Sequence, residues 1–205
     1  MDWLKEMGDR ILERRARQLW EKFHAYLPAS GRVLDVGSAT GHMAWTLARK
    51  TRLIPVETDV VNMSTKTAGP VIFDGERLPF ADKSFDAALV LFVLQFARQP
   101  VALLREISRV TTGPVIMMQS GYETGLGRIF LRCRTWAFGS FALRLMKAAR
   151  MVNRECSDSM VPRRMLTRQA CKEFSVQAGF WVEHFIPCPS LTGVSRDLYV
   201  LRRAA

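Results

Sequence analysis

The stretch Val33-Leu34-Asp35-Val36-Gly37-Ser38-Ala39-Thr40-Gly41-His42 constrains this chain more than any other. Val33, Leu34 and Val36 make the apolar run of a strand covered on both faces. Gly37 and Gly41 follow, and a glycine lets the backbone turn sharply and approach a ligand with no Cβ in the way. Met43, Ala44, Leu47 and Ala48 then recur at helical spacing, so a helix starts directly after the turn. A strand, a glycine turn and a helix in that order belong to an α/β fold. The helix N-terminus offers unpaired N–H groups to a polar or anionic ligand at the strand end.

The chain has 205 residues, enough for one sizeable α/β domain with its own core. There is no run of 18 apolar residues to make a membrane-spanning helix, and the mixed charges of residues 1–6 give no signal peptide. Cys133, Cys156, Cys171 and Cys188 are widely spaced without a C-x-x-C pair, and the three histidines do not cluster. No metal site is therefore expected, and the cysteines read as free thiols of a cytoplasmic protein. The net charge of +11 is uneven: residues 122–165 carry nine basic and three acidic side chains. Such a patch attracts phosphates, anionic lipid or acidic substrates.

Along the chain, residues 3–27 predict a helix with an apolar stripe of Trp3, Met7, Ile11, Leu12, Leu19, Trp20, Phe23 and Leu27, and with Arg14, Arg15 and Arg17 opposite. A helix to about Lys50 follows the glycine turn. A second strand over 53–58 ends in Glu57-Thr58-Asp59. An acid there can accept hydrogen bonds from both hydroxyls of a ribose. Glu57 and Asp59 both qualify. Little chain lies between Asp59 and Asp74, so any helix there is short or irregular. A fourth strand is expected over 87–92, then a helix over 101–110 and a fifth strand over 115–119. Thr167 caps a late helix, and strands at 181–186 and 196–202 close the chain.

Two motifs carry a resemblance. Asp35, Gly37, Ala39 and Gly41 resemble the acidic-x-Gly-x-Gly-x-Gly motif of class I S-adenosylmethionine (SAM)-dependent methyltransferases, with Ala39 at the usual middle glycine. The dinucleotide pattern G-x-G-x-x-G does not fit, because Ala39 and His42 are not glycines. The run Asp74-Gly75-Glu76-Arg77-Leu78-Pro79-Phe80-Ala81-Asp82-Lys83-Ser84-Phe85-Asp86 resembles the third-strand end of the type 11, ubiquinone-biosynthesis-like branch. Together with residues 166–203, the likeness covers most of the chain outside the basic segment.

The resemblance implies a Rossmann-like seven-stranded mixed sheet with helices on both faces and a helical insertion after the fifth strand. One methyltransferase-like domain over 1–205 is expected: an N-terminal helix (1–30), a SAM-binding core (31–121), a helical lid (122–165) and a C-terminal helix with antiparallel strands (166–205). SAM would be held by Asp35, Gly37, Ser38, Ala39, Gly41, Asp59, Val60, Asp74, Gly75 and Leu91, with Asp74 on the adenine amino group and Gly75 against the ring. No catalytic base is assigned; His42, Tyr122 and Glu123 are candidates by position only. The acceptor is expected to be a small hydrophobic or amphipathic molecule under the basic, apolar lid, with contact to an anionic inner membrane face as an open option. RNA is the less favoured acceptor, since the charge is local. A non-catalytic SAM-binding regulatory or partner subunit is the alternative from another class. An NAD-type oxidoreductase is disfavoured by the glycine pattern.

Overall fold

The computed structural model describes residues 2–122, 125–137, 162–189 and 194–204. Its strands are β1 (Ser30–Val36), β2 (Arg52–Asp59), β3 (Val71–Ile72), β4 (Ala87–Leu91), β5 (Val115–Tyr122), β6 (Phe180–Ile186) and β7 (Val194–Arg203). Its helices are α1 (Asp2–Phe23), followed by a 3₁₀ turn at His24–Tyr26, then α2 (His42–Lys50), α3 (Pro100–Val110), α4 (Gly125–Ala137) and α5 (Arg168–Gln177).

The seven strands form one sheet in the order β3-β2-β1-β4-β5-β7-β6. β1 lies parallel to β2 and β4, β2 to β3, and β4 to β5. β7 runs antiparallel to both β5 and β6. The mixed sheet with an antiparallel end is the architecture the sequence leads one to expect. The chain leaves β1 toward β2 and β3 on one side and returns to β4 on the other. That reversal opens a crevice at the carboxyl end of β1.

Successive strand residues point to opposite faces, so each strand feeds two cores. One core joins Val33, Leu89, Ile116 and Met118 to Trp20 and Phe23 of α1 and to Met43 and Leu47 of α2. The other joins Leu34, Val36, Val90 and Met117 to Leu104 and Ile107 of α3 and to Cys171 of α5. Pro100 starts α3, where its missing N–H costs nothing. Thr167 caps α5 as expected, its hydroxyl accepting from the Ala170 N–H at 3.1 Å.

One difference from expectation has a physical cause. The apolar stripe of α1 is only half used: Ala16, Trp20 and Phe23 are buried, whereas Trp3, Met7 and Ile11 are exposed. Over this half the helix turns Asp9 and Glu13, not its apolar stripe, toward the chain, which periodicity cannot reveal. Between β2 and β3 there is no helix, and residues 60–70 cross as an irregular segment. Its two small turn formers, Gly69 (φ +108°) and Pro70, end it just before a two-residue β3. Of the segment expected as a lid over 122–165, residues 125–137 form α4, while residues 138–161 lie outside the described residues.

Candidate functional site

The glycine turn sits at the carboxyl end of β1 and is strapped to β2. The N–H groups of Gly37 and Ser38 both donate to the Thr58 carbonyl, at 2.7 and 3.3 Å. Gly37 (φ +69°) and Gly41 (φ +76°) are left-handed, a conformation that disfavours a side chain. Space forbids one as well. A Cβ on Gly37 would meet Val93 at 2.7 Å, and one on Gly41 would meet Ser64 and Thr67 at 2.8 Å and Glu57 at 3.0 Å. Ala39 is left-handed too, at φ +51°. Its strain of ~1–2 kcal/mol is offset by its N–H, which donates to Asp59 Oδ2 at 2.9 Å.

Three carboxylates converge here. Asp35 and Glu57 are paired across β1 and β2, and Asp59 ends β2. All three are buried. Burial, reinforced by the neighbouring Glu57 and Asp59, pushes the Asp35 carboxyl from its usual 3.8 up to about 8. Asp59 is also raised, because burial outweighs the N–H groups of Ala39, Val60 and Val61 that favour its charged form. Its oxygens thus carry structural bonds, including Val60 N–H to Oδ1 at 2.7 Å. Glu57 differs: its Oε1 is buried and has no hydrogen-bond partner, like Asp35 Oδ2 and Ser38 Oγ. Buried polar atoms without partners are rare in folded proteins and mark places where a ligand or water completes the structure. These three surround one turn.

A second cluster, absent from the sequence reading, ties α1 to this turn. His42 is buried at the start of α2, with Nδ1 2.9 Å from Thr40 Oγ1 and Nε2 3.6 Å from Asp9. Lys66, from the irregular 60–70 segment, bridges Asp9 at 3.2 Å and Glu13 at 2.9 Å. Burial lowers the His42 pKa, opposed by Asp9. His42 is thus held between Thr40 and α1. Asp9 and Glu13 sit four residues apart on α1, the spacing that places two side chains on one helical face. Without Lys66 to link them, that spacing is an ordinary surface pattern.

The remaining expected residues lie around the same crevice. Asp74 is exposed, with Oδ1 accepting from the Glu76 and Arg77 N–H groups, both at 2.8 Å. Those bonds hold its carboxyl below the usual carboxylate range. Gly75 (φ +84°) faces Val60, whose Cγ1 would lie 3.2 Å from a Cβ at that glycine. Val60 therefore packs closely against Gly75. Leu91 ends β4 on the side facing α1 and α2. The next residue, Phe92, is left-handed at φ +63°, and Arg15 of α1 stacks 5.3 Å above its ring. Gln95 is more than a surface residue: it accepts from buried Gln119 at 3.1 Å, and its carbonyl accepts from the Arg163 N–H at 2.9 Å. Tyr122 ends β5, bonded through its N–H to the Leu166 carbonyl. Glu123 lies outside the described residues.

The rest of the 74–86 run is a scaffold. Arg109 of α3 donates to the Leu78 and Phe80 carbonyls and pairs with Asp82 and Glu106 at 2.7 Å each. Asp86 accepts from the Arg32 N–H at 2.7 Å, and the Phe80 and Phe85 rings meet edge to face at 4.9 Å.

The observed residues suit SAM. The orphaned atoms of Asp35, Ser38 and Glu57 match a cationic, polyhydroxylated ligand. Comparison with known proteins agrees. A family model described as a methyltransferase domain matches residues 34–114. An uncharacterized methyltransferase of Mycobacterium leprae is 34% identical over 127 residues, which are 53% of this chain and 46% of that one. The chain spans about half the length of the curated relatives it matches. Among solved structures, a SAM-dependent methyltransferase of Methanosarcina mazei superposes with a TM-score of 0.62 at 16% identity, covering 89% of this chain and 96% of that one. The [4+2]-cyclase SpnF superposes with a TM-score of 0.65 at 17% identity, covering 94% and 82%. These structural likenesses speak to the fold alone. The matches do not reach down to the ubiquinone-biosynthesis branch. The topology and the glycine turn agree with the family match: residues 34–114 are similar to a methyltransferase domain, set in the seven-stranded Rossmann-like fold of these solved structures.

Proposed function

We propose that the protein is an enzyme that transfers the methyl group of SAM to a small, apolar or amphipathic acceptor. The observation that carries the cofactor half is the set of buried, unpartnered polar atoms around the glycine turn. Asp35 would face the ammonium of the methionine moiety, and Glu57 and Asp59 the ribose hydroxyls. Gly37, Ser38, Ala39 and Gly41 would line the backbone approach. Val60, Asp74 and Gly75 would hold the adenine, with Leu91 on the sheet side.

SAM supplies a methyl group already activated by a positively charged sulfur. The chain's task is then alignment and exclusion of water rather than proton transfer. That suits a site in which His42 is enclosed by Thr40 and Asp9. The acceptor reading rests on the β4 end, where the half-buried Leu91, Phe92 and Val93 supply an apolar approach. The fold by itself does not dictate methyl transfer, as the name of the cyclase neighbour shows.

The test is incubation of the purified protein with methyl-labelled SAM and a panel of quinols, phenolic lipids, small polar amines and transfer RNA. Label in the organic-soluble products is the expected result. Label in the amines or the RNA would overturn the acceptor class. Micromolar SAM binding without turnover on any acceptor would favour a regulatory subunit.

A further inference from the structure

Helix α4 begins just beyond the carboxyl end of β5 and packs on β5 and β7. Gly127 and Leu131 are the buried residues of its inner face. An ordinary surface helix would be polar on the other side. Here the outer side carries Leu126 (80% exposed), Ile129 (61%) and Phe130 (46%), with exposed Cys133 one turn on. The spacing of 126, 129, 130 and 133 makes one continuous apolar stripe. Arg128 and Arg132 flank it, both exposed, and the helix contains no Asp or Glu. Neither arginine is ion-paired among the described residues.

We propose that this outer face of α4 is a docking surface for an anionic phospholipid bilayer. The apolar stripe by itself would suit a bilayer, a second copy of the chain or a protein partner. Charge separates them. A second copy would bring the same arginines, and the same +11 chain, against each other. A bilayer with anionic headgroups satisfies the stripe and its cationic flank together, as interfacial amphipathic helices do. A second apolar group lies on α1. Trp3, Met7 and Ile11 of α1 are exposed and bracket Asp9, which reaches His42 beside the glycine turn. Docked in this way, the crevice would open near the bilayer, where an amphipathic acceptor concentrates. The surface itself does not depend on that acceptor.

Co-sedimentation with vesicles decides the matter. The full chain should sediment with phosphatidylcholine vesicles containing roughly one phosphatidylglycerol in three, and stay in solution with pure phosphatidylcholine. Arg128→Gln with Arg132→Gln should weaken partitioning about thirtyfold, and Ile129→Asp with Phe130→Asp should abolish it. Retained SAM binding and an unchanged melting temperature show that each variant is folded. Failure of the wild type to bind anionic vesicles overturns the proposal, as does undiminished binding by both variants. So does a wild type that is dimeric where the aspartate variant is monomeric, which would make the stripe an interface between copies. Lack of methyl transfer with intact vesicle binding would count against the proposed activity only.

Discussion

Two stretches of this chain are equally rich in recognisable motif, and they behave oppositely. In the glycine turn after β1, Asp35, Ser38 and Glu57 keep buried atoms without partners. In the run from Leu78 to Asp86, the polar groups are spoken for: Arg109 takes two carbonyls and two carboxylates, Asp86 caps an N–H of β1, and Ser84 bonds the Ala81 carbonyl. Burying an unpaired polar group costs ~1–3 kcal/mol, so a fold tolerates several together only where something else completes them. The first stretch is arranged for a ligand, and the second for stability. Strength of motif is a poor guide to which is which.

The contrast breaks most visibly at Asp35. Asp35→Asn should weaken SAM binding by roughly a hundredfold (~3 kcal/mol), as measured by calorimetric titration. Because burial and its acidic neighbours push the Asp35 carboxyl up to about 8, a bound cation must draw a proton off it. Wild-type affinity should therefore tighten as pH rises from about 6 to about 8, and Asp35→Asn should flatten that slope. The stability effect has the opposite sign. With the folded pKa raised from 3.8 to about 8, the folded state retains a proton that the unfolded state has lost. Wild-type stability falls with pH through that window, and the asparagine variant should be the more stable of the two at its upper end.

A finer division separates Glu57 from Asp59. Glu57→Gln should reduce SAM affinity roughly tenfold with no loss of melting temperature, since Oε1 holds nothing in the folded protein. Asp59→Asn should lower affinity and melting temperature together, because its oxygens anchor the Ala39 and Val60 N–H groups. Equal loss of stability in both variants would erase the distinction.

The smallest effect on binding belongs to the scaffold. Arg109→Ala should change SAM affinity less than about threefold, yet cost ~1–3 kcal/mol of stability. Thermal or urea unfolding measures it. A large loss of SAM binding with unchanged stability would mean that the 78–86 run serves the site directly.

Much of this molecule was legible from one chain of letters. Apolar runs and period-3.6 patterns place β1, α2, α3 and β5 because these elements bury one face or both, and burial leaves its trace in composition. The glycine pattern marks the turn because only glycine tolerates both the left-handed backbone at Gly37 and Gly41 and the close approach of Val93 and Glu57. Tertiary structure alone decided the rest. It chose which acids near the turn carry structural bonds and which stand open, since Glu57 and Asp59 differ by two residues in sequence but in hydrogen bonding only after β1 and β2 pair. It brought Lys66 to Asp9 and Glu13 across a stretch with no periodicity, so no local pattern could announce it. It also left half of the α1 stripe and the outer face of α4 in solvent. Periodicity records that a helix has an apolar side; only packing determines whether anything in the chain covers it.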